Sequence, residues 1–144
     1  MQVSGLLQTK GAEVVTVSPE VTVNEVLSVL ARHGIGAVVV SPDGRALHGV
    51  LSERDIVRAL AERGADALGE AASRQMCTEL VTCEPDTTVE QLMATMTERR
   101  VRHVPVLVDG VLAGLVSIGD VVKDRIDGLE TETQVLHDYI AHPY

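Results

Sequence analysis

The chain repeats itself. Residues 49–57, GVLSERDIV, return at 114–122 as GLVSIGDVV: glycine, two aliphatics, serine, two spacers, aspartate, two aliphatics. The flanking text echoes as well, since VVTVSPEVTVNEVLSVL (14–30) matches LVTCEPDTTVEQLMATM (80–96). Two copies of one supersecondary unit within 144 residues restrict the fold to a pair of small halves that bury their apolar faces on each other.

Each copy reads as β-α-β-β-α. Short β-branched runs at 12–17 and 80–83 are each followed by a proline that ends the strand. Thr22-Val-Asn-Glu25 and Thr88-Val-Glu-Gln91 are capping boxes that start helices. Val23, Val26, Leu27 and Leu30, like Val89, Leu92, Met93 and Met96, then mark one buried helical stripe. Buried strands follow at 36–40 and 103–108. Pro42-Asp-Gly44 and Asp109-Gly110 turn them back into strands at 46–51 and 111–116, and second helices open at Ser52 and Ser117.

The expected fold class is α+β: two β-α-β-β-α repeats packed with pseudo-two-fold symmetry, plus a C-terminal helix. The repeats span 8–63 and 76–127, joined by a small, polar linker at 64–75 with room for one short helix. In the tail, 128–144, Val135, Leu136, Tyr139 and Ile140 share one helical side. That side either covers the core or docks on a second subunit.

Apolar residues make up 45% of the chain, yet there is no Phe or Trp, and Tyr139 and Tyr144 lie near the end. The core must be aliphatic. A net charge of -9 without interior aromatics offers neither the basic groove nor the stacking platforms that nucleic acids need. No stretch approaches the ~20 apolar residues of a membrane span, and the first residues show no export leader. Cys77 and Cys83 have no partner at metal-ligand spacing and read as reduced thiols of a cytoplasmic protein, with no disulfide and no metal site. Nothing points to an enzyme. His33, His48, His103, His137 and His142 show no pairing for catalysis, and HGIGAVVV has Val39 where a dinucleotide-binding turn needs its third glycine.

The repeated serine and aspartate admit two readings. Ser-x-x-Asp is itself a cap, and an acid suits a helix N-terminus by roughly 0.3–1 kcal/mol. A helix start after a strand is also an anion site, and a carboxylate beside it can accept both hydroxyls of a ribose. Basic residues stand nearby: Arg54 inside the first copy, and Arg99, Arg100, Arg102 and His103 ahead of the second. Arg99 and Arg100 suit the end of the preceding helix, whereas Arg102 and His103 sit at the strand entry and suit a ligand.

The doubled motif, the VRHVPV strand and the element order resemble a tandem cystathionine-β-synthase (CBS) domain pair over about residues 8–127. The likeness is to the stand-alone bacterial kind, and to the regulatory insert of inosine-monophosphate dehydrogenase. The resemblance implies regulatory binding of AMP, ADP, ATP, NAD or S-adenosylmethionine between the repeats, with no cofactor required. It places Asp55 and Asp120 on the ribose diol and Ser52 and Ser117 on phosphate. Ile35, Val38, Val101 and Val104 would flank the adenine, and Thr16 and Thr82 would border the clefts. Lys10, Arg54, Arg102 and His103 are the expected phosphate charges. Gly119 stands where the first copy has Arg54, so the two clefts are inequivalent. The resemblance also implies a homodimer and a regulated partner enzyme or transporter. The competing reading is a nucleotide-free platform of the same fold.

Overall fold

A computed structural model describes residues 1–141; the expected tail residues 142–144 lie outside them. Local chemistry sets the first repeat. Thr22 Oγ1 accepts the Glu25 amide at 3.2 Å and starts α2, Val23–His33, which closes on Gly34 in the left-handed region at φ 62°. Strand β2, Ala37–Val40, pairs parallel with β1, Thr16–Val17, and antiparallel with β3, Gly49–Ser52. Helix α3 follows at Glu53–Arg63.

The second repeat copies this order. Thr88 caps α5, Val89–Arg99, and here Gln91 Oε1 also accepts the Thr88 amide at 3.0 Å. Strands β4, His103–Val108, and β5, Val111–Ser117, form a hairpin. Its turn places Asp109 and Gly110 at φ 51° and 76°, as the Asp-Gly pair demands. The leading strand shrinks to a single parallel bridge between Cys83 and Val106.

Two expected strands of the first repeat are also shorter than the sequence suggested. Asp43 Oδ1 accepts the amides of Arg45 and Ala46 at 2.8 and 2.9 Å, and this side-chain turn displaces ladder pairing until Gly49. Ahead of Thr16, only the Val15 carbonyl joins the sheet, accepting the Val39 amide at 3.2 Å.

The alternation of β2 explains its run of valines. Val38 and Val40 point into a core with Val26, Leu30 and Ile56 of their own repeat. Ala37 and Val39 point the other way and meet Leu80, Leu112 and Leu115 of the second repeat. A third cluster, around Leu92, Val104 and Val116, belongs to the second repeat.

An unexpected feature fastens the halves. No motif marks a helix at the N-terminus, yet α1 occupies Val3–Lys10 and buries Val3, Leu6 and Leu7 against the second repeat. The amides of Val3 and Ser4 donate to Thr87 and Pro85, and that of Val89 to Met1. The linker does the same for the first repeat. After a 3-10 turn at Gly64–Gly69 comes α4, Ala72–Gln75, whose Ala72 and Ser73 amides donate to Val21 and Pro19, while Val23 donates to Glu70. Each leading segment thus docks on the other repeat, in matching positions.

The last helix also differs from expectation. α6 runs unbroken through Ile118–Ala141, so Gly128 does not separate a tail helix from the repeat. Val135, Leu136, Tyr139 and Ile140 are 60–70% exposed and do not cover the core. Among the described residues, no helix is long and apolar enough to cross a membrane.

Candidate functional site

Two adjoining hollows lie between the repeats, about 420 and 460 Å³ in volume. Gly36, His103 and Ser117 border both. Each hollow has an aspartate at a helix start on one side and a strand entry from the opposite repeat on the other. Asp55 faces Val101 and Arg102 in the first; Asp120 faces Ile35 and Gly36 in the second. The floors correspond too, with Leu80 and Val81 answering Val14 and Val15.

The strand entries are tied to the helix starts. The Glu53 amide donates to the Gly36 carbonyl at 2.9 Å, and the Ile118 amide to Arg102 at 2.8 Å. These bonds satisfy one orphan donor of each helix, and within each repeat they tie the wall lent to one hollow to the wall lent to the other.

Both aspartates cap. Asp55 Oδ2 accepts the Ser52 amide and the Ser52 hydroxyl, each at 2.9 Å. Asp120 Oδ2 accepts the Ser117 amide at 2.8 Å. The cap reading is therefore satisfied at both copies, and it uses one oxygen of each carboxylate. Asp55 Oδ1 has Arg58 Nη1 at 3.8 Å; no hydrogen bond to Asp120 Oδ1 occurs among the described residues.

The hollows differ in charge. Arg54, Arg58, Arg100 and Arg102 line the first, against Glu53, Asp55 and Glu79. The second has Lys10, Glu13 and Asp120. Lys10 arrives from the end of α1, and its ammonium sits 2.6 Å from both Asp120 Oδ2 and the Leu115 carbonyl. Burial pushes the Asp120 carboxyl up, but hydrogen bonds from Lys10 and the Ser117 amide outweigh it and hold it below its ordinary value. Burial also pushes the His103 imidazole down, with Asp120 partly opposing.

Of the residues singled out in the sequence, Ser52, Arg54, Asp55, Val101, Arg102, His103 and Ser117 gather at the first hollow. Lys10, Ile35 and Asp120 gather at the second, with His103 and Ser117 shared. Four do not border either. Val38 and Val104 are fully buried core residues, because one step along a strand turns the side chain to the helix-facing side. Thr16 and Thr82 lie past the point where the chain leaves the hollow for the sheet, and Val14, Val15, Leu80 and Val81 take that border instead. Lys10, expected as a phosphate charge, is paired with Asp120.

Two residues were missed. Arg58 lies one turn beyond Asp55 on the same helix side, a spacing visible in the sequence. Arg100 was assigned to the end of α5, but its left-handed backbone, φ 55°, accompanies a place in the first hollow.

The CBS domain family matches this chain twice, over residues 7–62 and 69–127. A mitochondrial CBS domain-containing protein of Arabidopsis thaliana, CBSX3, is 36% identical over 127 residues, covering 85% of this chain and 62% of that relative's length. A crystal structure of a CBS-domain containing protein from Agrobacterium tumefaciens is 46% identical with a TM-score of 0.83, covering 87% of this chain and 99% of that one. A CBS domain pair solved in complex with 5′-methylthioadenosine and S-adenosyl-L-methionine shares the fold at a TM-score of 0.75 and 21% identity, covering 85% and 98% of the two chains. With both repeats matched and nearly the whole of a solved relative superposed, the chain belongs to the CBS domain family, as a tandem pair.

Proposed function

We propose that this chain is a regulatory module that senses adenosine-containing ligands in the clefts between its repeats and catalyses no reaction on them. One observation carries the reading. At both helix starts the aspartate caps with a single oxygen, at the edge of a hollow large enough for a nucleotide. Asp55 and Asp120 accept the ribose diol through the two lone pairs of Oδ1, because capping and the Lys10 contact engage only Oδ2, so capping and binding are compatible. Val101 and Ile35 flank the adenine in the respective clefts.

The charges divide the ligands. Four arginines at the first cleft suit a polyphosphate such as ADP, ATP or NAD, with the Ser52 and Ser117 hydroxyls at the phosphates. The second cleft suits an adenosine with little phosphate, AMP or S-adenosylmethionine. The methylthioadenosine-bound relative supports this ligand class.

The Lys10–Asp120 pair favours a second reading for the second cleft: with its carboxylate already engaged, that half serves as a nucleotide-free platform for a partner enzyme or transporter.

Melting the protein with AMP, ADP, ATP, NAD and S-adenosylmethionine tests both. A ligand at 100 times its dissociation constant adds about 2.7 kcal/mol. Asp55→Asn keeps a capping acceptor and loses the response to polyphosphates. If none of the five ligands shifts the transition, the platform reading replaces the sensor.

A further inference from the structure

Helix α6 has two sides with different fates. Its first turns seat Val121, fully buried, in the core of the second repeat, beside α1 and α5. From residue 126 to 141 every residue is exposed. Along this length runs an aliphatic stripe, Val122, Ile126, Leu129, Leu136 and Ile140, exposed by 46–70%, with Thr133 filling the gap. The steps are 4-3-4-3-4, and at 3.6 residues per turn they fall within about 80° of arc. Intrinsic propensity does not sustain the segment alone: Gly128 and the β-branched Thr131, Thr133 and Val135 are weak helix formers.

We propose that α6 pairs with α6 of a second copy of this chain, as a parallel, in-register, two-stranded coiled coil. The residue types select this occupant. With the seam written as a heptad, Ile126, Thr133 and Ile140 hold the a positions, all β-branched, and Val122, Leu129 and Leu136 hold d. β-Branched a with mostly leucine d favours two parallel strands. The flanks agree. Arg125 holds g and Glu130 the following e, so a parallel pair sets Arg125 of each chain against Glu130 of the other. Neither forms an ion pair within its own chain among the described residues. Antiparallel pairing opposes g to g and e to e and loses the match. A shallow groove beside Ile126, Leu129, Glu130 and Thr133 receives the partner's side chains. The assignment is independent of whether a nucleotide occupies the clefts.

Sedimentation equilibrium of the full chain at micromolar concentration tests it. The wild type sediments as a dimer. Leu129→Asp/Leu136→Asp, at sites exposed in the single chain, sediments as a monomer with its body still folded by circular dichroism. A monomeric wild type, or a double variant that stays dimeric, overturns the pairing. Orientation has its own test. Arg125→Glu and Glu130→Arg each weaken dimerisation about fivefold, and together restore it. A combined variant no tighter than either single one overturns the parallel register.

Discussion

Lys10 Nζ and Asp120 Oδ2 lie 2.6 Å apart, a contact between the first helix and the start of the last across the seam of the two repeats. The side chains are 31% and 24% exposed, so solvent screens the pair and it stabilises by about 1 kcal/mol at most. Lys10→Met lowers the melting temperature by about 3 °C. The folded Asp120 carboxyl titrates below its ordinary 3.8, so its stabilising contribution is complete above that pH and is lost as pH falls through the lowered value. In Lys10→Met this acid loss is smaller, and adenosine gains affinity for the second cleft. Calorimetric titration with adenosine, and melting between pH 2.5 and 5, read both effects.

His103 sits where the two clefts meet, facing Asp120, Lys10, Glu53 and Arg102. Its folded value lies below the ordinary 6.5, so the unfolded chain takes up the proton first. Stability contributed by the neutral imidazole is full above pH 6.5 and declines as pH falls towards the lowered value. His103→Gln removes that part of the melting-temperature difference between pH 7.5 and 5.5. A phosphate placed beside the ring favours the imidazolium, so the wild-type response to ATP is larger at pH 6 than at pH 8. An equal response at both values places the phosphate away from His103.

The glycines of the chain differ in kind. A Cβ at Gly49 would stand 2.6 Å from Met76 Sδ and 2.9 Å from the Cys77 carbonyl, which donates no room because its own strand contact is fixed by Val50. Gly49→Ala destabilises by about 1–3 kcal/mol. Gly128 meets nothing within 4 Å and lies inside α6, so Gly128→Ala stabilises by about 0.5–1 kcal/mol. Urea unfolding of the two variants should move the midpoint in opposite directions.

Arg100 holds a left-handed conformation at φ 55°, the counterpart of Gly34 at 62° in the first repeat. A side chain there costs about 1 kcal/mol. Arg100→Gly raises stability by about that amount and weakens ATP binding at the first cleft, whereas Arg100→Ala weakens ATP without the gain in stability. Thermal melts paired with binding isotherms separate the two effects.

Where local chemistry decides, the sequence was readable. The caps at Thr22, Thr88 and Ser52 and the Asp109-Gly110 hairpin depend on neighbours within four residues. The borders of the clefts were readable at Ser52 and Asp55 because the doubled motif marks them, and at Arg102 because it stands at a strand entry. Helix α1 was not: eight residues interrupted by Gly5 are marginal alone, and it is the second repeat, more than eighty positions away, that gives Val3 and Leu6 a partner. The Lys10–Asp120 contact depends on that docking and was hidden with it. The displacement of Val38 and Val104 from the clefts is a matter of strand phase, which the run of valines at 38–40 conceals because both faces are apolar.

The residue that faces the second cleft and the helix that leaves the body are one continuous rod. Asp120 stands at the root of α6, whose 24 residues extend about 36 Å. A tilt of about 5° at that root carries the far tip through about 3 Å. The length of the rod thus sets the leverage: an angular change at its root is converted into a distance at its tip in proportion to its 24 residues.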